Sequence, residues 1–183
     1  ARRDFARRSA VVGRVAWVEA VQAMGGDAAA WRKLLADRVF QRHPRSSIEG
    51  AQEFSFASEL MTEVAYRMWP ASTLPPMHEA VARWLDARPD ASPGEVGRHW
   101  ERAGRPEEVA AAFARAAEAA ARAGDAERAV ESAGRALRLS SDPEVQWRAL
   151  AAQDAVFQLY ADKDQQALQE RGLEQMRRLS LEL

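Results

Sequence analysis

The stretch from Pro106 to Ser140 constrains this chain more than any other. It reads "PEEVAAAFARAAEAAARAG" and then "DAERAVESAGRALRLS". Alanine is the strongest helix former and carries almost no side-chain bulk. Val109, Phe113, Ala116 and Ala120 recur at helical spacing, and so do Ala126, Val130, Ala133 and Leu137. Each segment therefore predicts a helix with a narrow apolar stripe. Gly124 leaves a tight turn between them, and small side chains let two helix axes approach closely. The expected result is an antiparallel helix hairpin.

The same pattern extends over residues 73–183. "MHEAVARWLDAR" sets Met77, Val81, Trp84 and Leu85 on one side, after Pro75 and Pro76. "SPGEVGRHWERAG" offers Ser92 as a cap, Pro93 at the first helical position and Gly104 as a stop. "DPEVQWRALAAQDAVFQLYAD" carries Trp147, Leu150, Phe157 and Tyr160, and the last helix aligns Leu168, Met176, Leu179 and Leu183, interrupted by Gly172. With Gly104 as the turn glycine of a tetratricopeptide unit, Gly97, Trp100, Phe113 and Ala116 fall at that unit's small, aromatic, aromatic and alanine positions. Val109 stands where alanine is usual. "AG" recurs only twenty residues on, so the repeat is degenerate. Residues 73–183 are expected to be a tetratricopeptide-like region of stacked helix hairpins.

Residues 1–72 read differently. "RRDFARRSAVV" predicts a helix broken near Gly13, and "VAWVEAVQAM" predicts a second that stops at Gly25-Gly26. Asp27 can cap a third, "AAAWRKLLADR", with Trp31, Leu34 and Leu35 on one face. Then the period changes from helical to alternating. "VFQRHP" and "AQEFSFA" predict a β-hairpin joined by "RSSIEG", with Phe54 and Phe56 on its apolar face. Ser58 offers an N-cap to a further helix, in which Leu60, Met61, Val64, Tyr66 and Met68 supply apolar contacts until Pro70. Three helices, a hairpin and a fourth helix is the layout of a winged-helix domain. The expected fold class is therefore mostly α: a winged-helix domain with one β-hairpin, then tetratricopeptide-like helix hairpins.

The chemistry is sparse. There is no cysteine, which removes disulfides, thiolate metal sites and cysteine nucleophiles. "HEAVA" at 78–82 opens like a zinc-protease helix but has Ala82 where the second histidine belongs, and "DKDQQA" at 162–167 has Ala167 where a calcium loop needs glycine. No phosphate-binding glycine motif and no nucleophile elbow occurs. No catalytic residue, metal site or cofactor is assigned to these residues. The net charge of −1 gives no global attraction to nucleic acid or membrane, and no apolar run approaches the roughly 20 residues of a membrane-spanning helix. The chain begins at Ala1 without Met and its last helical pattern reaches Leu183 without a stop signal, so it is expected to be a segment of a longer, cytoplasmic protein.

Two surfaces remain as candidates. A basic patch within residues 27–45, made by Arg32, Lys33, Arg38 and Arg42, could let the third helix enter a major groove. The same helix offers few base-reading side chains and no Asn or Gln, so DNA binding is the secondary reading. In the helical region, Arg98, Trp100, Arg102, Arg115 and Arg122 are the candidate face for an acidic protein or peptide partner.

These residues also carry a family resemblance. The "F-x-F…EVAY" junction at 54–66, "HEAVARWL" at 78–85, "HWERAG" at 99–104 and "AAFARAA" at 111–117 together resemble the region that follows the ATPase core in bacterial STAND-type signal-transduction ATPases. Such ATPases occur fused to serine/threonine kinases, adenylate cyclases or LuxR-type DNA-binding domains. "VVGRVAW" and "RVFQRHPRS" are closest to the kinase-fused kind. The resemblance covers roughly residues 5–140. It implies a relay, in which the winged helix packs on the nucleotide-binding domain and the repeats receive a partner. It also implies that ATP or ADP with Mg binds only in an upstream domain. The family commonly has a histidine where this chain has Ser58, and in related switch ATPases a winged-helix histidine touches bound ADP. Ser58 cannot supply that imidazole contact.

Overall fold

A computed structural model describes the backbone of residues 1–160 and 163–181, and the side chains of 1–158 and 169–181. The described residues are mostly helical, with ten α-helices and one small antiparallel sheet. The side chains of Tyr160 and Leu168, the whole of Leu183 and the start of "DKDQQA" lie outside the described residues. The chain divides into two compact units, residues 1–91 with 102–104, and residues 92–101 with 105–183.

The first unit runs α1 (Arg2–Val12), β1 (Val15–Trp17), α2 (Val18–Ala23), α3 (Ala29–Ala36), β2 (Phe40–Arg42), β3 (Glu53–Phe56), α4 (Glu59–Arg67) and α5 (Leu74–Asp86). The sheet order is β1-β3-β2, antiparallel throughout. Phe40 pairs with Phe56 and Arg42 with Phe54, which sets the aromatic rings of the hairpin side by side. The core gathers on them. Phe54 is fully buried, with its ring centroid 4.6 Å from both Trp31 and Phe40 and 6.2 Å from Phe5.

Strand β1 corrects the expected helix over "VAWVEAVQAM" and enlarges the single hairpin to three strands. Val15 pairs with Ser55 and Trp17 with Glu53. Three residues are too few to display a period, and the strand passes into α2 without a break. Only the non-local partner β3 makes it a strand. A second difference concerns α5. The sequence reading divides the chain into 1–72 and 73–183, whereas α5 packs on α1 and α2, and Trp84 stacks on Trp17 at 5.7 Å. Its apolar face therefore belongs to the core of the first unit.

The second unit holds α6 (Pro93–Ala103) up to Glu101, then α7 (Pro106–Arg122), α8 (Ala126–Leu139), α9 (Pro143–Tyr160) and α10 (Lys163–Leu179). Helix α7 is central and packs on α8 and α9, which also pack on each other, while α10 packs on α9. Buried alanines line the seam: Ala112, Ala114 and Ala117 on α7, Ala129, Ala133 and Ala136 on α8, and Ala149 on α9. Gly124 makes the α7–α8 turn at φ +75°, a left-handed conformation that favours glycine. Asp125 then caps α8, its Oδ1 accepting the Arg128 N–H at 3.1 Å. On α8 the buried face is Ala129, Ser132, Ala133 and Ala136, with Val130 and Leu137 half-buried beside it. Trp147 is exposed, contrary to its expected place in the core stripe of α9.

Helices α6 and α7 meet at Gly97. A Cβ added there would lie 3.0–3.3 Å from three ring atoms of Phe113. The ring cannot retreat freely, because the Arg135 guanidinium covers it at 4.0 Å. Gly97→Leu is therefore expected to cost about 3 kcal/mol by overpacking, more than the helix propensity it gains, about 1 kcal/mol. Thermal melting followed by circular dichroism should show a lower midpoint for the second unit. An unchanged or raised midpoint would mean the α6–α7 contact has slack.

Candidate functional site

Helix α4 presents the site. β3 ends at Phe56, and Ser58 is extended at φ −143°, ψ 139° before the helix begins at Glu59. Ser58 occupies the N-cap position as expected, but its hydroxyl makes no capping hydrogen bond. The first turn is closed instead by the Met61 N–H donating to the Ser58 carbonyl at 3.2 Å.

One side of α4 is fastened to its own unit. Ala65 is buried, and Tyr66 Oη lies 2.9 Å from His78 Nε2 on α5. Just after the helix, Trp69 Nε1 donates to the Arg7 carbonyl on α1 at 2.9 Å. The Arg7 guanidinium lies 4.0 Å over the Trp69 ring and also donates to the Met68 carbonyl. Burial pushes the His78 imidazole down to a pKa of about 4, with the nearby Arg102 charge pushing the same way.

The other side faces outward. Leu60 is 67 % exposed, Met61 45 %, Val64 53 % and Met68 44 %. These four were expected to make packing contacts, and they correct that expectation. The sequence reveals an apolar stripe at helical spacing but not which of the two faces is covered. Here Ala65, Tyr66 and Trp69 provide the packed face, and the larger stripe is left in solvent. A contiguous apolar patch on a rigidly held helix has the character of a contact surface.

The structure also joins residues that the sequence reading left apart. His43 follows β2 and its N–H donates to the Glu53 carbonyl at 3.0 Å. Its Nδ1 lies 2.6 Å from Glu53 Oε1, and its Nε2 lies 3.1 Å from Ser55 Oγ. Glu53 Oε2 accepts the Ser47 N–H at 2.7 Å and the Ser47 hydroxyl at 2.6 Å. Burial pushes the Glu53 carboxyl up, but the hydrogen bonds from Ser47 and His43 outweigh it and hold the group below its ordinary range. The chain Ser55–His43–Glu53 has the order of a nucleophile, base and orienting acid. Acyl transfer also needs donors aimed at a developing oxyanion. Strand β3 is paired on both edges, so the N–H groups around Ser55 are directed into the sheet ladders. The network closes the connection between β2 and β3. Nothing local in the sequence marks it, since only the β2–β3 register sets His43 opposite Glu53.

The other candidate residues lie apart. Arg32 and Lys33 are exposed on α3, Arg42 on β2, and Arg38 at φ +57° between them. Arg32 also lines a cavity of about 320 Å³ with Glu19, Gln22, Trp31 and Gln52. Of the proposed partner face, Arg98 and Arg122 are exposed, Arg115 is half-buried, and Arg102 is exposed but groups with the first unit. Trp100 is only 4 % exposed and serves the core, which corrects its assignment to a contact surface. On α7, Arg115 and Arg122 both bear on Glu118. Glu118 receives two hydrogen bonds from Arg148 of α9, at 2.7 and 2.8 Å. That fork holds the Glu118 carboxyl below its usual range and raises the Arg148 guanidinium. The arginines of α7 are thus partly spent inside the fold.

No family model, curated protein or solved structure matches the chain. Among the described residues no group of three or more potential metal ligands occurs, and no helix is long and apolar enough to cross a membrane.

Proposed function

We propose that the chain is a non-enzymatic regulatory and protein-interaction segment of a multidomain bacterial signalling ATPase, carrying a kinase effector and working in the cytoplasm. The observation that carries the interaction reading is the solvent-facing stripe of Leu60, Met61, Val64 and Met68 on a helix whose opposite side is anchored. The order α1-β1-α2-α3-β2-β3 with sheet order β1-β3-β2 supports a winged-helix domain. Gly97 against Phe113 and the alanine seam of α7, α8 and α9 support tetratricopeptide-like packing. In this reading the stripe docks on protein, either a neighbouring domain or a partner, and the docked and undocked populations relay the signal. Nucleotide and Mg belong to an upstream domain, and Ser58 leaves any nucleotide contact here without an imidazole. The coding sequence preceding Ala1 tests the parent class. A Walker A and B pair is expected there, and its absence would contradict the ATPase assignment.

The second reading is a DNA-binding regulator, favoured by the exposure of Arg32, Lys33, Arg38 and Arg42 on and beside α3. It requires duplex affinity that falls steeply with salt and drops in Arg32→Ala and Lys33→Ala. We expect no such binding at low salt.

A further inference from the structure

We propose that the cavity between α2 and α3 binds a free α-amino acid with a medium-sized apolar side chain. The proposal is independent of the reading of α4. The cavity lies wholly within the first unit and measures about 320 Å³, near the lower end of the roughly 300–1,000 Å³ of small-molecule pockets. That size suits a metabolite rather than a peptide helix or a nucleic-acid strand. Its buried lining is apolar. Val18 and Trp31 are 4 % and 5 % exposed, and Ala28 and Ala29 lie beside them.

The rim carries both signs of charge. Glu19 is half-buried on α2 and Arg32 is exposed on α3. Among the described residues, neither pairs with the other or with a third charge. The Gln52 N–H donates to Glu19 Oε2 at 2.9 Å and holds the carboxylate in place, while Oε1 accepts no hydrogen bond among the described residues. Gln22 and Gln52 line the same cavity, and neither carboxamide has a hydrogen-bond partner among the described residues. Four polar groups thus border one apolar space with hydrogen-bonding capacity unused. Charge selects the ligand. Glu19 repels a simple anion and Arg32 repels a simple cation. A zwitterion satisfies both: its ammonium donates to the Glu19 carboxylate, and the Arg32 guanidinium donates to its carboxylate as a fork. The remaining ammonium hydrogens and carboxylate lone pairs fall to the carboxamides of Gln22 and Gln52. The ligand's side chain then lies on Val18 and Trp31, which favours an aliphatic group of leucine size. Three of the four polar residues are exposed, so binding is weak, with a Kd on the order of 0.1–1 mM.

Titration of the chain with L-leucine, followed by backbone amide NMR, tests this. Saturable shifts are expected along α2, at residues 28–32 and at Gln52. Isopentylamine and isocaproate each keep one of leucine's two charges, and each should bind about ten-fold more weakly or worse. Arg32→Ala and Glu19→Gln should weaken leucine by a similar factor. Glu19→Gln keeps an acceptor for the Gln52 N–H, and Arg32 is exposed, so the fold persists in both. Lys33 is the next residue along α3 and lies outside the cavity lining. Lys33→Ala should therefore leave leucine binding unchanged, which separates this site from the duplex-binding reading, where both cations count. No saturable shift at concentrations far above that Kd range would overturn the proposal. So would isocaproate binding as well as leucine, or Arg32→Ala binding leucine as the unaltered chain does.

Discussion

Phe54→Ala is expected to lower the stability of the first unit by about 3–5 kcal/mol, the range for truncating a buried phenylalanine. That loss is a large part of the roughly 5–15 kcal/mol that holds a domain folded. Phe54 sits on the middle strand with no exposed surface, and Trp31, Phe40 and Phe5 all rest against its ring. Removing it leaves three aromatic faces around one void, and two of them belong to helices that cannot follow the strand inward. Urea unfolding followed by tryptophan fluorescence, to which Trp31 contributes beside five other tryptophans, provides the measurement. Phe56→Ala should cost less, because its ring is slightly exposed and makes an edge contact with Phe40 at 4.8 Å. A loss below about 1 kcal/mol for Phe54→Ala would mean the aromatic cluster does not organise this unit.

Acid should act through His78. Its imidazole is pushed down to about 4 in the folded chain, first by burial and then by Arg102, from an ordinary value of 6.5. Above pH 6.5 the group is neutral in folded and unfolded chain alike, and its contribution is fully present. Between pH 6.5 and 4 the unfolded chain binds a proton that the folded chain refuses, so stability falls as pH falls. The expected loss is about 2–3 kcal/mol by pH 4. His78→Gln should flatten this part of the pH dependence relative to the unaltered chain. Urea midpoints from pH 7.5 to 4.5 measure it. Parallel curves for the two proteins would show that His78 is not the titrating group.

Most elements were legible in the sequence, because long helices with glycine stops and capping residues declare themselves locally. Gly124 and Asp125 mark the α7–α8 turn, and the alternation of Phe54 and Phe56 marks β3. β1 was hidden because Val15, Ala16 and Trp17 become a strand only by pairing with residues some forty positions away. The same limit applied to sites. His43, Glu53 and Ser55 are ordinary residues until the β2–β3 register brings them together. Trp100 stands among the arginines of the expected contact face, but it is buried and belongs to the core. Leu60, Met61, Val64 and Met68 are expected to make apolar contacts because periodicity reports that a helix has an apolar face, but coverage of that face depends on the partners available in the fold.

The outer face of α4 is proposed to dock on protein. Oxidative footprinting of Met61 and Met68 tests it most directly, by comparing the dilute isolated chain with the full-length parent protein. Both thioethers should oxidise readily in the dilute chain, where their residues are 45 % and 44 % exposed. In the parent, both should be protected together, and Val64→Asp should abolish the protection. Equal oxidation of both methionines in the dilute chain and in the parent would contradict the account.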